Sequence, residues 1–273
     1  MSAGPTGNGE LEEVPLVGGD VNVRENVVVR VGDTVRRPYR PTSPATHALL
    51  RHLAIEGFGG APRYLGVDSD GREVLSYLPG RAVTPPYPAW ALTDAALVSV
   101  ATLLRRYHEA AASFDPAPYR WPASPPPPFA GGLVLHNDPN LDNFVFRDGQ
   151  AVALIDFDLA APGAPLWDVA ATARLWAPLR SPADIADDRR DRALARARIL
   201  VDAYGLDEAG RAGLLDAVRA SHDWMVGVVA DGAAHGVPGF AAYWGPEAAA
   251  RARRTDAWLG ANAGSITSAL LPP

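Results

Sequence analysis

Residues 136 to 158 read His-Asn-Asp-Pro-Asn-Leu-Asp-Asn-Phe-Val-Phe-Arg-Asp-Gly-Gln-Ala-Val-Ala-Leu-Ile-Asp-Phe-Asp. Asp138, Asn143 and Asp156 carry the oxygens whose spacing could do chemistry. Two apolar runs, 144–146 and 151–155, flank Asp148-Gly149. Asp-Gly between alternating apolar residues is a strong hairpin signal, because a type I′ turn needs positive φ at both loop positions. With those two residues as the loop, Arg147 faces Gln150, Asn143 faces Leu154, and Asp156 lies across from Leu141. Residues 154 and 156 share a face because strand side chains alternate. Asn143 and Asp156 are therefore expected to project from one face at the open end of the hairpin, as diagonal neighbours about 7 Å apart. An amide oxygen and a carboxylate placed so can share a hard cation such as Mg²⁺. Asp138 enters the same end from the loop. Phosphoryl transfer needs such a set, an acid for a hydroxyl proton and oxygens for a metal that neutralises phosphate charge.

Two other readings of the same residues exist. Asp138 to Asn143 begins like a calcium-binding loop, with oxygens at its first, third and fifth positions. Its sixth position is Asn143 where glycine is needed, and its twelfth is Gly149 where a bidentate Glu is needed. Alternatively, each Asp and Asn could merely form a turn through side-chain-to-backbone bonds. That explains any one of them better than it explains the whole spaced group framed by apolar strands.

The elements that must position these residues follow from pattern. Residues 1–13 read as a flexible tail, and from residue 14 strand-like runs alternate with turns. Asn26–Val31, the turn Gly32-Asp33 and Thr34–Arg37 make a hairpin. A helix is predicted from about Pro44 to Ile55, with Thr42 or Ser43 as its cap and Leu49, Leu50 and Leu53 at helical spacing. A second hairpin uses Arg63–Val67 and Glu73–Leu78 around Asp68–Gly71. Asp94 to Ala112 carries Leu97, Val100, Leu103, Leu104 and Tyr107, an amphipathic helix. A Pro-rich loop then precedes the 136–158 segment, and four or five helices are expected from Asp168 to the end.

Composition narrows the function classes. The chain has 273 residues, 48% of them hydrophobic, with no cysteine and a formal charge of −6. Disulfides and thiolate metal sites are thereby excluded, and broad nucleic-acid binding is disfavoured because phosphate neutralisation needs a basic surface. No apolar stretch is long enough to span a membrane, and the polar, acidic N-terminus has no signal-peptide pattern. A cytoplasmic protein acting on a small molecule is the expectation; oligomeric state is left open. All 25 basic residues are arginine. A Schiff-base or Walker-type lysine is therefore impossible.

The segment 136–158 resembles the aminoglycoside phosphotransferase family, whose loop reads roughly His-Gly-Asp-x-x-x-x-Asn and is followed by an apolar-Asp motif. The same spacing of Asp, Asn and a later Asp marks the protein-kinase catalytic loop. The resemblance implies an α+β, bilobal protein-kinase-like fold, with a small N-terminal sheet lobe over 14–80 and a larger, mainly helical lobe over 81–273. It implies ATP, or another nucleoside triphosphate, and Mg²⁺ as cofactors, and a small hydroxylated molecule as acceptor. Asp138 matches the family's catalytic Asp, and His136 the loop histidine that orders the backbone. Asn143 and Asp156 match the metal ligands. Leu166-Trp167-Asp168 resembles the downstream element whose Asp braces the catalytic loop. Ser76 to Leu78 could offer backbone groups to adenine, as the resemblance implies, or form a plain edge strand, and Gly18-Gly19-Asp20 reads either as a turn covering the nucleotide or as an ordinary loop.

Four departures stand out. Arg37, with Arg36 beside it, occupies the place of the family's phosphate-binding lysine, and arginine is not its point-charge equivalent. The helix over 44–55 has no glutamate, and His47 is its nearest polar candidate. Asn137 replaces a glycine, a mild change because Asn tolerates unusual torsions. Asp156-Phe157-Asp158 lacks a glycine at its third position. The missing lysine motivates a second reading, a catalytically silent kinase-like module that binds a ligand or peptide partner. The acceptor is weakly constrained. From Ser181 onward there are twelve Asp or Glu against ten Arg, so the acidic cluster at 184–191 reads as a solvated helix face. His222, Trp224, His235, Tyr243 and Trp244 read either as core aromatics or as a wall for the acceptor.

Overall fold

The structure is a computed structural model describing residues 12–16, 28–122 and 124–271. Gly18-Gly19-Asp20 and the first residues of the Asn26 run lie outside the described residues. So do residues 1–11 of the expected tail; Glu13, by contrast, belongs to a strand that pairs with Val31.

Five antiparallel strands form the N-terminal sheet: β1 (Glu13–Pro15), β2 (Val29–Val31), β3 (Thr34–Pro38), β4 (Tyr64–Val67) and β5 (Arg72–Ser76), in the order β1-β2-β3-β5-β4. Both expected hairpins are present. In the second, the Asp68 side chain accepts from the backbone N–H groups of Asp70 and Arg72 at 3.0 and 2.9 Å, which closes the turn. Helix α1 (Ser43–Ile55) covers the sheet, with Leu49, Leu50 and Leu53 buried. Burying a leucine side chain contributes roughly 1.5–3 kcal/mol, so this stripe fixes the helix on the sheet. Thr42 caps it only by backbone, without a side-chain bond.

Strand β6 (Arg81–Ala82) already pairs with the catalytic hairpin rather than with the N-terminal sheet. Helix α2 (Asp94–Ala111) begins at Thr93, whose hydroxyl accepts from the N–H of Ala96 at 3.1 Å. Its buried stripe of Leu97, Val100, Leu104 and Tyr107 is the spine of the C-terminal lobe. Strands β7 (Leu133–Leu135) and β10 (Ala161–Gly163) pair with each other, and β8 (Phe144–Arg147) and β9 (Gln150–Leu154) form the hairpin. Helices α3 (Pro165–Trp176), α4 (Ala193–Tyr204), α5 (Glu208–Ala234), α6 (Pro238–Tyr243), α7 (Pro246–Ala261) and α8 (Ala263–Leu270) complete the lobe. That is six helices where four or five were expected, because Pro238, Pro246 and Asn262 divide the last third into short pieces. The bilobal, kinase-like architecture is the one expected.

Candidate active site

The loop from His136 to Asn143 is held in place from below. Asp168, in the first turn of α3 and fully buried, accepts the backbone N–H of His136 and of Asn137, each at 2.8 Å. His108 of α2 adds a third contact to the same carboxylate at 3.1 Å, and Tyr204 of α4 holds its other ring nitrogen. The His136 ring donates to the carbonyl of Ile155 at 2.9 Å, which ties the loop to the end of β9. Burial pushes the His136 pKa down, so the ring is neutral and acts as a strut. Asn137 adopts φ 64°, the left-handed region where a glycine or Asn is tolerated, and donates to the carbonyl of Leu159 at 3.0 Å. Asp168 therefore braces the loop as the resemblance implied.

Asp138 and Asn143 meet side by side. The Asn143 amide donates to the Asp138 carboxylate at 3.0 Å and to its backbone carbonyl at 2.9 Å. Asn140 donates to the other carboxylate oxygen at 2.5 Å. Burial, then the charges of Asp156 and Asp142, raise the Asp138 pKa to about 7. A carboxyl poised there can take a proton from a hydroxyl. The hairpin turn is type I′ as expected, with φ 51° at Asp148 and 74° at Gly149.

The open end differs from the simple register. Arg147 does face Gln150, but the ladder slips between Val145 and Phe146, so Leu154 faces Phe144 instead of Asn143. One extra residue, Val152, is accommodated on β9, and such a bulge moves every later pair by one place. Asn143 thus ends a 3₁₀ turn and accepts the N–H of Ile155 at 2.9 Å. Asp156 lies just past the strand, at φ 64°. The Asn143 amide oxygen and the carboxylates of Asp156 and Asp158 are hard donors that fit Mg²⁺, which commonly takes one or two carboxylates and completes its shell with phosphate oxygens. Among the described residues no group of three or more His, Cys, Asp or Glu is placed to hold a metal ion by itself, so an ion here would draw on the Asn143 amide oxygen and on phosphate oxygens as well.

Arg37 reaches across from β3 to this end. Its Nη atoms contact Asp156 at 3.3 Å and Asp158 at 2.7 Å, while its Nε donates to Glu73 at 2.9 Å. Burial alone would lower its pKa, but the carboxylates of Asp158, Asp156 and Glu73 outweigh that and hold the charge. Glu73 sits opposite Arg37 in the β3–β5 register and is fully buried. Its other oxygen accepts from His47 at 2.7 Å. So the acidic partner that α1 lacks is supplied by the neighbouring strand, and His47 occupies the helix position. Glu73 went unnoticed in the sequence, although a signal existed: it shares the phase of Leu75, which faces the core. Glu73→Gln should therefore lower folding stability by about 1–3 kcal/mol, the usual cost of breaking hydrogen bonds to a buried charge. Urea denaturation reads this directly, and an unchanged midpoint would reject the role given to the carboxylate.

Ser76 ends β5. Its N–H is spent on the carbonyl of Arg63 at 2.8 Å, and the N–H of Tyr77 on Asp33 at 2.8 Å. Leu78 follows, half-buried, on the connection to the C-terminal lobe.

A concavity of about 110 Å³ opens among α3, α5, α6 and α7. His222, Tyr243 and Trp244 line it, together with Arg174, Arg180 and Arg251. The other two members of the aromatic cluster are elsewhere: Trp224 packs edge-on against Trp167, and His235 is exposed. Asp184 and Asp187 of the acidic cluster are occupied by Arg254 and Arg189.

Comparison with known proteins agrees with this geometry. Residues 119–200 match the model of the phosphotransferase enzyme family. The chain is 33% identical over 225 residues to the trifolitoxin immunity protein of Rhizobium leguminosarum bv. trifolii, covering 75% of this chain and 78% of that protein. The chain belongs to the phosphotransferase enzyme family. For a member of the phosphotransferase enzyme family, transfer to a hydroxyl group of a small molecule is the coarse activity, and the solved structures share its fold. A choline/ethanolamine kinase family protein from Mesorhizobium loti superposes with a TM-score of 0.64 at 18% identity, covering 96% of this chain and 92% of that one. The GDP complex of aminoglycoside 2'-phosphotransferase-IIIa gives 0.57 at 14% identity, covering 93% and 95%.

Proposed function

We propose that this protein transfers the γ-phosphate of ATP, or of another nucleoside triphosphate, to a hydroxyl of a small molecule in the cytoplasm. Asp138 orients the acceptor hydroxyl and takes its proton. Asn143 and Asp156 are the residues that would hold Mg²⁺, with Asp158 beside them; the ion supplies charge neutralisation at the transferred phosphoryl group. Arg37 contacts the phosphates, Ser76 and Leu78 border the base, and His136 keeps the loop rigid. The reading rests on one observation above the others: Asp138 is hydrogen-bonded to Asn143, within electrostatic reach of Asp156, on a loop whose backbone is clamped by a buried carboxylate.

Arginine in the lysine position does not weaken this. Its fork has donors enough to keep Glu73 on Nε while turning its Nη atoms from Asp156 and Asp158 to phosphate oxygens. The full chain should gain thermal stability with Mg·ATP by mass action. Arg37→Ala, referenced to its own nucleotide-free Tm, should need at least about tenfold more Mg·ATP for the same shift, as for a lost charge-assisted hydrogen bond. A flat response of the unmodified protein would instead support a silent binding module. That second reading draws on the present engagement of Arg37 with three carboxylates. It also draws on the relative from Rhizobium leguminosarum, named for immunity rather than for transfer.

A further inference from the structure

Arginines in this chain seldom lie buried without a carboxylate. Arg189 and Arg196, both sealed from solvent, hold Asp187 at 2.8 Å and Asp94 at 2.9 Å. Arg174 of α3 and Arg180 just beyond it are half-buried and stand differently. Each has a buried Nε without a hydrogen-bond partner, and neither forms an ion pair among the described residues. Both line the concavity among α3, α5, α6 and α7, as does Arg251, while no acidic residue lines it. Nearby acids are already committed, Asp184 to Arg254 and Asp187 to Arg189. Burial, then the charge of Arg180, lowers the Arg174 pKa to about 10; burial, then the charge of Arg189, lowers that of Arg180. An arginine guanidinium keeps its charge at neutral pH. Two half-buried cations without an ion-pair partner, beside a cavity that no acidic residue lines, leave a place for a counter-charge from outside.

Position gives this a meaning. Trp176, two residues after Arg174 on α3, donates to the carbonyl of Pro139 at 3.1 Å, so the Arg174 end of α3 lies against the catalytic loop, and the Asp138 charge is felt at Arg174. The opposite walls are Tyr243 and Trp244, with Val226 and Met225, suited to a flat or apolar body. His222 is neutral, its pKa lowered by burial and by Arg174, and its Nε2 is spent on the carbonyl of Ala252.

We infer that the acceptor is an amphipathic hydroxylated molecule carrying an oxyanion, a carboxylate or a phosphate monoester, seated between Arg174 and Arg180 with its hydroxyl toward Asp138. A polycationic acceptor is excluded by the same charges, since like-charge juxtaposition is penalised in a desolvated site. This deepens the phosphotransferase reading and rests on it for the fate of the hydroxyl, whereas the oxyanion site itself does not need nucleotide.

The test uses the full chain without nucleotide and a ring series differing only in charge. By saturation-transfer NMR and titration calorimetry, 4-hydroxyphenylacetate should bind, while 4-hydroxyphenylacetamide and tyramine should not. Phenyl phosphate tells a phosphate site from a carboxylate site; binding of either anion supports the inference. Arg180→Gln should weaken anion binding at least about tenfold, the scale of one charge-assisted hydrogen bond. It should also raise Tm, because it relieves repulsion at Arg174; a merely structural Arg180 would lower it. Tyramine binding as well as the acid, no binding by any member, or an Arg180→Gln protein with unchanged anion affinity would each overturn the inference. The Mg·ATP thermal shift, measured separately, reports on the phosphotransferase reading alone.

Discussion

Asp138→Asn should abolish phosphoryl transfer while leaving Mg·ATP binding within a few-fold of the unmodified protein. The substitution keeps the shape of the side chain but only one of the two oxygens that accept from Asn140 and Asn143, and the loop should stay in place because Asp168 holds its backbone. What it removes is the oxygen pair able to accept a proton from the acceptor hydroxyl. General base catalysis typically contributes 10²–10⁴-fold, so turnover should fall by roughly that factor. Steady-state ADP release with the physiological acceptor, alongside the Mg·ATP thermal shift, separates chemistry from binding. An Asp138→Asn protein with normal turnover would remove this residue from the mechanism. Retention of turnover with lost nucleotide stabilisation would shift its role to the metal.

The second large effect is on the fold itself. Asp168→Ala deletes a fully buried carboxylate that accepts two backbone N–H groups and contacts His108. Breaking one side of a buried charged network typically costs about 3–5 kcal/mol. In a protein of this size that is a fall in Tm on the order of 10 °C. Asp168→Asn, which can still accept one of the two N–H groups, should fall in between. A loss under about 1 kcal/mol by chemical denaturation would show that the loop is held by other contacts.

The catalytic segment was legible because its chemistry is local. Asp138 and Asn143 are five residues apart on one loop, and the Asp148-Gly149 turn is chosen by backbone torsions that few other residue pairs accept. The brace by Asp168 was also expected, though only through resemblance. His108, its other partner, could have been suspected from the sequence: it stands one turn beyond Leu104, on the buried stripe of α2, where a polar ring needs a partner. The slip in the β8–β9 ladder left no comparable trace. Val152 belongs equally well to a regular strand and to a bulge, and packing against α2 decides between them.

Residue types and short spacings alone determined the family of chemistry: an acid, an amide and a second acid on a turn, and no lysine anywhere. Periodicity determined that a sheet would precede a long amphipathic helix and a helical remainder. Arg37 was legible in the sequence at the place of the missing lysine; that Glu73, rather than a helix residue, stands against it was decided only by topology. Arg37 and Glu73 are 36 positions apart and meet because β3 lies beside β5. The charge of the concavity was likewise hidden. Arg174 and Arg180 share their segment with many other arginines, and what distinguishes them is a buried Nε without a hydrogen-bond partner at the wall of the concavity. Electrostatic partnership is set by distances across the folded chain, and one-dimensional spacing carries no record of it.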